Sequence, residues 1–383
     1  MVKRMKHSSV AIIGGGIIGA SVAYHLARMG TKGIVLFEKG YISGGATGRC
    51  GGGIRQQWST RGNVRLAMRS VKKFERFLQE LGWDIEYKQG GYLLLAYNEE
   101  EAKTFEENVK MQREEGLDVE ILSPKQIERR FPYVNAKSVL LATFCPTDGH
   151  GNPHLANFAY IHKAKELGVK VYTHTKVKAL ERKANNIIGV HTDLGYFSCE
   201  VVVNASGAWS KEVARMAGTD LPTTSFRHQI LVTEPVENFM DPLVMSFSKN
   251  FYIRQTLHGS FLMGQGDPQE KPGINYNVTL DFERKIAEKL TAIFPFLEGL
   301  RIVRHWSGHY NMSPDAQPII GKARSVENLF HAVGFSGHGF MLAPAVGEAL
   351  AEMIVHGKTS HVDISDLGLE RFEREVVREK NVV

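Results

Sequence analysis

Hydrophobic positions along the chain follow two periods and predict a mixture of strands and helices. Continuous apolar runs typical of buried strands occur at 10–13, 33–37, 200–204 and 329–333. Apolar residues at helical spacing predict helices at 20–29, 63–81, 99–115, 153–167, 279–294 and 344–356. Between 226 and 263, apolar and polar residues alternate as they do in half-buried strands. Strands and helices therefore share the chain.

The order of these elements predicts two domains. The chain has 383 residues, which exceeds one ordinary core. Strand-then-glycine turns recur at 204–207 and 333–339, whereas the β-rich stretches lie between them. We therefore predict an α/β (α+β) protein with a discontinuous Rossmann-like domain at 1–84, 143–218 and 306–383. A second, β-sheet-based domain for the substrate is expected at 85–142 and 219–305.

A glycine loop between the first strand and first helix carries the most specific local chemistry. Gly14, Gly16 and Gly19 fit Gly-x-Gly-x-x-Gly, in which the glycines allow a tight turn, close approach to a pyrophosphate and close helix packing. The second strand ends in Glu38, about 20 residues farther on. A carboxylate there accepts hydrogen bonds from a ribose hydroxyl and repels a 2′-phosphate. The pattern predicts a dinucleotide site.

Composition and charge exclude several functions. The net charge is +6, and the basic residues alternate with glutamates, so we expect no nucleic-acid binding. No apolar run reaches the ~18 residues that span a membrane, and no cleavage motif follows the basic N-terminus. Cys50, Cys145 and Cys199 lack metal-ligand spacing. These features predict a cytoplasmic protein without a metal or a transmembrane segment.

Four further segments are marked by glycine or aromatic residues: 44–55, 203–210, 314–321 and 334–341. So much glycine in 44–53 is conformationally costly and favours close contact with a flat ligand, although a mobile surface loop has the same composition. Arg49 and Arg55 lie beside these glycines, and a guanidinium can bind a carboxylate or phosphate with two hydrogen bonds. The 334–341 segment leads into the last helix, whose N-terminus favours negative charge.

Together these segments resemble the FAD-dependent amine oxidoreductases, the family of D-amino acid oxidase and sarcosine oxidase, over nearly the whole chain. The most specific match is Gly334-Phe335-Ser336-Gly337-His338-Gly339-Phe340, which is similar to a flavin-contacting turn of sarcosine oxidases. Residues 50–57 and 146–149 are most like the β subunits of dye-linked L-proline dehydrogenase and of sarcosine oxidase.

The resemblance implies non-covalent FAD and assigns roles to individual residues. The catalytic residues it implies are Arg55, as an anchor for the substrate carboxylate, Tyr252 and His338. His228 is a weaker candidate for tuning charge. The implied cofactor contacts are Gly14, Gly16, Ile17, Gly19, Glu38, Lys39, Ala46, Thr47, Arg49, Cys50, Gly51, Gly52, Val177, Ala205, Gly207, Trp209, Gly337, His338, Gly339, Phe340 and Met341.

Three departures from the family pattern change the expectation. Gly308 stands where monomeric sarcosine oxidase attaches its flavin to a cysteine, so no such thioether can form. The strand 261–264 lacks the lysine that promotes reaction with oxygen, and Met341 replaces a second carboxylate-binding lysine. The resemblance therefore implies a dehydrogenase with a partner α subunit or another electron acceptor. It also leaves room for a second flavin, FMN, at a subunit interface.

The function expected from the sequence is oxidation of a secondary amino acid, L-proline or a sarcosine-like substrate, by hydride transfer to flavin N5. An FAD oxidoreductase of a 2-hydroxy acid or of glycerol 3-phosphate would share the same motifs. A flavin-carrying subunit that needs a partner for catalysis is a further alternative. An NAD-binding Rossmann protein explains the first glycine loop but not the segments 44–53 and 334–340.

Overall fold

A computed structural model describes residues 6–374 and 376–382. Its strands are β1 (Lys6–Ile13), β2 (Ile34–Phe37), β3 (Gly53–Ile54), β4 (Tyr92–Ala96), β5 (Glu120–Leu122), β6 (Leu141–Cys145), β7 (Gly149–His150), β8 (Lys170–Tyr172), β9 (Val177–Lys183), β10 (Asn186–Thr192), β11 (Gly195–Asn204), β12 (Thr224–Thr233), β13 (Leu243–Ser246), β14 (Phe251–Gln255), β15 (Phe261–Gln265), β16 (Ile302–Met312), β17 (Ile319–Lys322) and β18 (Leu329–Val333). Its α-helices are α1 (Ile17–Arg28), α2 (Arg61–Phe74), α3 (Phe77–Leu81), α4 (Glu99–Glu114), α5 (Pro124–Arg130), α6 (Pro153–Glu166), α7 (Ser210–Met216), α8 (Leu280–Ile293) and α9 (Gly339–His356).

The first large sheet is mostly parallel and has the order β17-β18-β11-β1-β2-β8. Strand β1 pairs in parallel with β11 on one side and with β2 on the other. The hairpin of β9 and β10 extends β11. Parallel strands buried on both faces need continuous apolar sequence, and the central strands have it. Ligands of such sheets bind at the carboxyl ends of the strands.

The second large sheet has the order β16-β12-β15-β14-β13-β4-β6-β5. Its pairs are antiparallel except for β13 and β4. A two-stranded ladder of β3 and β7 lies apart from both sheets. The predicted mixed α/β fold, with one Rossmann-like sheet and a second sheet, is confirmed.

The main core lies where α1 packs against α9 and α6. Gly347 of α9 allows the close approach, because a Cβ there would lie 2.7 Å from the Cβ of Ser21 in α1. Trp58, Phe74 and Leu342 are fully buried in the same core. Helix α9 is long and apolar enough to cross a membrane, yet 67% of it is buried within the described protein. Its apolar character is that of a core helix.

The structure corrects two element boundaries. The predicted helix at 63–81 is divided into α2 and α3. The last helix begins at Gly339 instead of 344, so Pro344 lies inside it. Proline favours the first turn of a helix because it lacks an N–H, which explains the prediction. The packing of α9 against α1 offsets an interior proline cost of about 3 kcal/mol.

The domain limits stay a prediction. The predicted boundary after 142 falls inside β6, and the boundary after 305 falls inside β16. Both strands belong to the second sheet along their whole length. The chain therefore leaves the second sheet and reaches the first through the segments 146–169 and 313–318, which begin a few residues beyond the predicted limits.

Candidate functional site

One large cavity, with a volume of about 510 Å³, brings together the segments that the sequence marked. It runs from the glycine loop after β1 to the start of α9. The predicted site residues that line it are Gly14, Gly16, Ile17, Glu38, Lys39, Ala46, Thr47, Arg49, Cys50, Gly51, Gly52, Arg55, Val177, Ala205, Gly207, Trp209, Tyr252, Gly337, His338, Gly339, Phe340 and Met341. Distant parts of the chain thus share one site.

The glycine loop is held in place by its own backbone. Gly14 has a φ of +118°, which favours glycine, and its N–H donates to the Phe37 carbonyl at 2.9 Å. The Glu38 carboxylate accepts from the N–H of Gly15 and from that of Gly40, both at 2.8 Å. It therefore links the glycine loop to the residues that follow β2, and it lines the cavity.

Gly19 is the one predicted cofactor contact that does not line the cavity. A Cβ on Gly19 would collide with the carbonyl oxygen of Gly14 and lie 3.4 Å from Ala205. The position that a side chain would occupy therefore faces the back of the loop, where α1 packs on β1. Close packing is the physical reason for a glycine there, and the expected pyrophosphate contact at Gly19 stays a prediction.

The glycine-rich segment 44–53 forms one wall of the cavity. Arg49 donates to the Gly44 carbonyl at 3.1 Å and to the Ser307 carbonyl at 3.0 Å, and its guanidinium lies 4.4 Å from the Tyr276 ring centre. The Cys50 thiol donates to the Thr47 carbonyl at 3.2 Å. Burial raises the pKa of Cys50 to about 11, so its thiol is neutral. This wall is built by hydrogen bonds within the protein.

The N-terminus of α9 points into the other end of the cavity. Gly337 precedes it with a φ of +95°, and a Cβ there would lie 2.6 Å from the Tyr310 ring. Gly339, Phe340 and Met341 form the first turn, whose N–H groups have no partner within the helix. The helix begins earlier than predicted, which brings its positive dipole end to the cavity wall.

Arg55 is a buried cation at the cavity wall. It is 4% exposed, and burial lowers its pKa. Its Nη1 donates to the Gln57 carbonyl at 2.9 Å and its Nη2 to the Asn381 carbonyl at 2.7 Å. Its guanidinium lies 3.8 Å from the Trp58 ring centre. Among residues 6–374 and 376–382, no carboxylate lies within salt-bridge distance of Arg55. Such a charge favours an anionic ligand.

Three aromatic rings that line the same cavity as Arg55 stack on one another. His228 is nearly parallel to Tyr310 at 4.3 Å and to Tyr252 at 5.7 Å. The strands β12, β14 and β16 carry these rings into the cavity. Burial lowers the pKa of His228 to about 4, and it raises the pKa of Tyr252 and of Tyr310. The stack is therefore an uncharged, flat surface at neutral pH.

His338 is neutral as well. Its Nε2 lies 2.9 Å from the Ala316 carbonyl, which is an acceptor, so Nε2 carries the proton. Burial lowers the pKa of His338 to about 4. Its ring meets Trp58 edge-on at 4.5 Å. His338 therefore holds the turn before α9 against the segment 314–321 and presents no charge to the cavity.

Sequence reasoning missed the C-terminal segment 379–382. Val382 lines the cavity, and Asn381 donates its side-chain amide to the Gln57 carbonyl at 3.1 Å. The buried Glu379 carboxylate accepts from Ser59, Thr60 and Asn63 near the start of α2. The segment has no glycine motif and no hydrophobic period, so nothing in the sequence marked it.

A group of acids and a histidine lies outside the cavity. Glu348, Glu352 and His361 have ligand atoms close enough to share a metal ion. However, Arg69 and Lys73 already bind Glu348, at 2.8 and 2.7 Å, and they lower its pKa to about 2. The absence of a metal remains a prediction.

The cavity fits FAD. A Cβ at Gly16 would lie 3.1 Å from the Thr47 hydroxyl, so glycine there keeps open a cradle above the N-terminus of α1. The Glu38 carboxylate stands beside this cradle, where a ribose would lie. The N-terminus of α9 at the far end suits the negative charge of a reduced flavin ring. The chemistry of both ends therefore agrees with the group that the resemblance implies.

Comparison with known proteins agrees with this geometry. The sequence profile described as "FAD dependent oxidoreductase" matches residues 9–353. FAD-dependent oxidoreductase domain-containing protein 1 of Xenopus laevis is 31% identical over 99% of this chain and 85% of its own length. Sarcosine oxidase subunit beta of Rhizobium meliloti is 29% identical over 96% of this chain and 89% of its own length.

A solved structure extends the comparison to the whole fold. The crystal structure of L-proline dehydrogenase from P. horikoshii is 38% identical, with a TM-score of 0.92, and covers 98% of this chain and 100% of that chain. The resemblance drawn from the glycine-marked segments is confirmed, as is the prediction of an FAD-dependent oxidoreductase. The chain belongs to the FAD dependent oxidoreductase family.

Proposed function

We propose that this protein is a dehydrogenase that oxidises a secondary amino acid, L-proline or a sarcosine-like substrate, at its C–N bond. The observation that carries the proposal is Arg55, a buried cation that lines the cavity without a carboxylate partner among the described residues. The likeness to an L-proline dehydrogenase and to a sarcosine oxidase subunit supports this class of substrate.

Arg55 binds the substrate carboxylate in this proposal. Two of its five N–H groups are taken by backbone carbonyls, which fixes the plane of the guanidinium and leaves the others for the ligand. The stack of Tyr252, His228 and Tyr310 carries no charge and therefore favours the neutral form of the amine. Bound FAD supplies the acceptor for the hydride, at flavin N5.

The chain's own groups then contribute position and electrostatics. The N-terminus of α9 stabilises the negative charge that develops at its end of the cavity. The neutral His338 keeps that N-terminus in place through its bond to Ala316. No side chain is needed as a general base once the amine is neutral, so orientation over the reacting carbon carries most of the rate acceleration.

We propose that the electrons pass to a carrier other than oxygen. Strand β15 reads Phe-Leu-Met-Gly-Gln and has no lysine where the sarcosine oxidases resembled above carry one. A partner α subunit or a separate acceptor would take the electrons. A second flavin has no support in the comparisons, so the proposal includes FAD alone. A cytoplasmic location stays a prediction.

Anaerobic titration of the purified, yellow protein tests the substrate class. L-Proline, sarcosine, glycolate and glycerol 3-phosphate are added separately, and loss of the visible flavin absorbance is recorded. Bleaching by proline or sarcosine is expected. Bleaching by glycolate or glycerol 3-phosphate alone would refute the proposal in favour of a hydroxy-acid or glycerol-phosphate enzyme.

The same preparation tests the electron acceptor. Turnover of the isolated chain with an artificial dye, and little oxygen consumption, is the expected result. Rapid oxygen consumption would contradict the proposed acceptor. Flavin bleaching without dye turnover would indicate a subunit that depends on its partner.

A further inference from the structure

Asp148 is a completely buried carboxylate outside the cavity wall. It lies in the turn between β6 and β7 and is 0% exposed. It does not line the cavity, so it cannot touch a ligand there. The carboxylate nevertheless accepts three hydrogen bonds, all from the two residues that follow Arg55.

These hydrogen bonds fix the backbone of Gln56 and the side chains of both Gln56 and Gln57. Asp148 Oδ1 accepts from the Gln56 backbone N–H at 2.7 Å and from Gln56 Nε2 at 3.0 Å. Its Oδ2 accepts from Gln57 Nε2 at 3.0 Å. Gln57 is fixed further by the Thr143 hydroxyl, which donates to its Oε1 at 2.7 Å.

The held segment is the one that orients Arg55. The Arg55 guanidinium donates to the Gln57 carbonyl, so the position of Gln57 sets the position of the charge. On the other side, β3 ends just before Arg55 and pairs with β7, which follows Asp148 directly. The chain before Arg55 and the chain after it are therefore both held next to Asp148, while the guanidinium itself also donates to the Asn381 carbonyl.

We propose that ionised Asp148 is the positioning residue that aligns Arg55 with the carboxylate of the substrate. The inference rests on the proposed function, since it deepens the role of Arg55. A carboxylate accepts at both oxygens, whereas a carboxylic acid would direct its own O–H at one of three converging N–H groups. Protonation would therefore release Gln56 or Gln57 and let the guanidinium turn away.

The surroundings make this protonation accessible near neutral pH. Burial raises the pKa of Asp148 to about 6, although the Gln57 and Gln56 hydrogen bonds and Arg55 act in the opposite direction. The other described titratable groups that face it keep one charge state there. Burial raises the pKa of Tyr87, Tyr92 and Cys145, lowers that of His150 to about 2, and Arg55 stays cationic.

The experiment measures binding separately from turnover. Acetate serves as a carboxylate probe without an amine, and its dissociation constant is read from perturbation of the flavin absorbance of the holoenzyme. In the wild-type protein, acetate binding should weaken as the pH falls from about 8 to about 5.5. A flat profile would overturn the proposal, and this arm needs neither a variant nor the natural substrate.

The Asp148→Asn variant supplies the second arm. The acetate dissociation constant and the KM for the amino acid should rise about 10- to 100-fold, with kcat within about twofold of wild type and the pH dependence of acetate binding lost. Glu348→Gln removes another buried carboxylate, one that does not line the cavity, so it should lower stability without changing either constant. Unchanged constants in an FAD-loaded Asp148→Asn protein would overturn the proposal.

The two proposals fail in different ways. If no amino acid bleaches the flavin while acetate binds with the predicted pH dependence, the proposed substrate is wrong and the role of Asp148 stands. If proline or sarcosine bleaches the flavin and Asp148→Asn behaves as wild type, the role of Asp148 is wrong and the proposed function stands.

Discussion

Replacement of Arg55 by methionine should weaken substrate binding while leaving the flavin site intact. Methionine fills much of the same volume beside Trp58 but has no N–H groups. After the bonds to the Gln57 and Asn381 carbonyls, three of the five guanidinium donors remain for a carboxylate. A charge-assisted hydrogen bond contributes about 1.5–3 kcal/mol, so two of them amount to at least about 3 kcal/mol in a buried site.

The loss expected for Arg55→Met is about 3–4 kcal/mol, which corresponds to a dissociation constant about 10²- to 10³-fold higher. The assay is the anaerobic reductive half-reaction followed by stopped flow, which separates the dissociation constant from the limiting rate. Arg55→Lys keeps the charge without the fork and should lie between wild type and Arg55→Met. Arg371→Lys alters another arginine, which pairs with Asp315 and does not line the cavity, and should leave binding unchanged.

An Arg55→Met protein with normal FAD content and a dissociation constant within about threefold of wild type would refute the anchoring role. An unchanged dissociation constant together with an altered limiting rate would indicate that Arg55 orients the reacting carbon instead of anchoring the substrate.

Three more outcomes follow from the geometry. Gly14→Ala, at φ +118° and against Ala205, should abolish FAD retention, measured as flavin per protein after gel filtration; full retention would contradict the tight turn. The pKa of His338 is lowered to about 4 in the folded protein, so the unfolded state binds the proton more tightly and acid favours unfolding. The free energy of unfolding measured in urea should therefore fall by about 2 kcal/mol between pH 7 and pH 5 because of this residue, and the His338→Asn variant should not show that decrease. Glu379→Gln weakens several buried hydrogen bonds and should lower the free energy of unfolding by about 1–3 kcal/mol, unlike the exposed Glu373→Gln.

The sequence predicted most of the cavity because the relevant residues carry their own physical signature. The glycines at 14, 16 and 337 are required by φ angles or close approach, and such requirements are visible as residue type. Arg55 was found because it stands beside a glycine-rich segment. Tyr252 was implied by the family resemblance and His228 was a weaker candidate, but their parallel stack with Tyr310 depends on the register of β12 with β16.

The remainder of the site depends on contacts that no local pattern records. Asp148 lies in the segment 146–149 that the resemblance marked, but nothing local to the sequence shows that its carboxylate would be buried and accept from Gln56, next to the pairing of β3 with β7. The segment 379–382 is polar and irregular, and its role arises from Glu379 meeting the start of α2. The start of α9 was misplaced because local proline preference was outweighed by helix packing.

The order of the strands in the first sheet has a consequence for biosynthesis. Strand β1 is completed at Ile13, but its partner β11 follows at 195–204 and the cavity wall of α9 only after 339. At about 5–20 residues per second, a ribosome needs tens of seconds to synthesise the chain from the end of β1 to the start of α9. During that time β1 has an open edge that can pair with other chains. Because the first turn of α9 lines the cavity, FAD cannot be fully enclosed until this last helix has emerged from the ribosome.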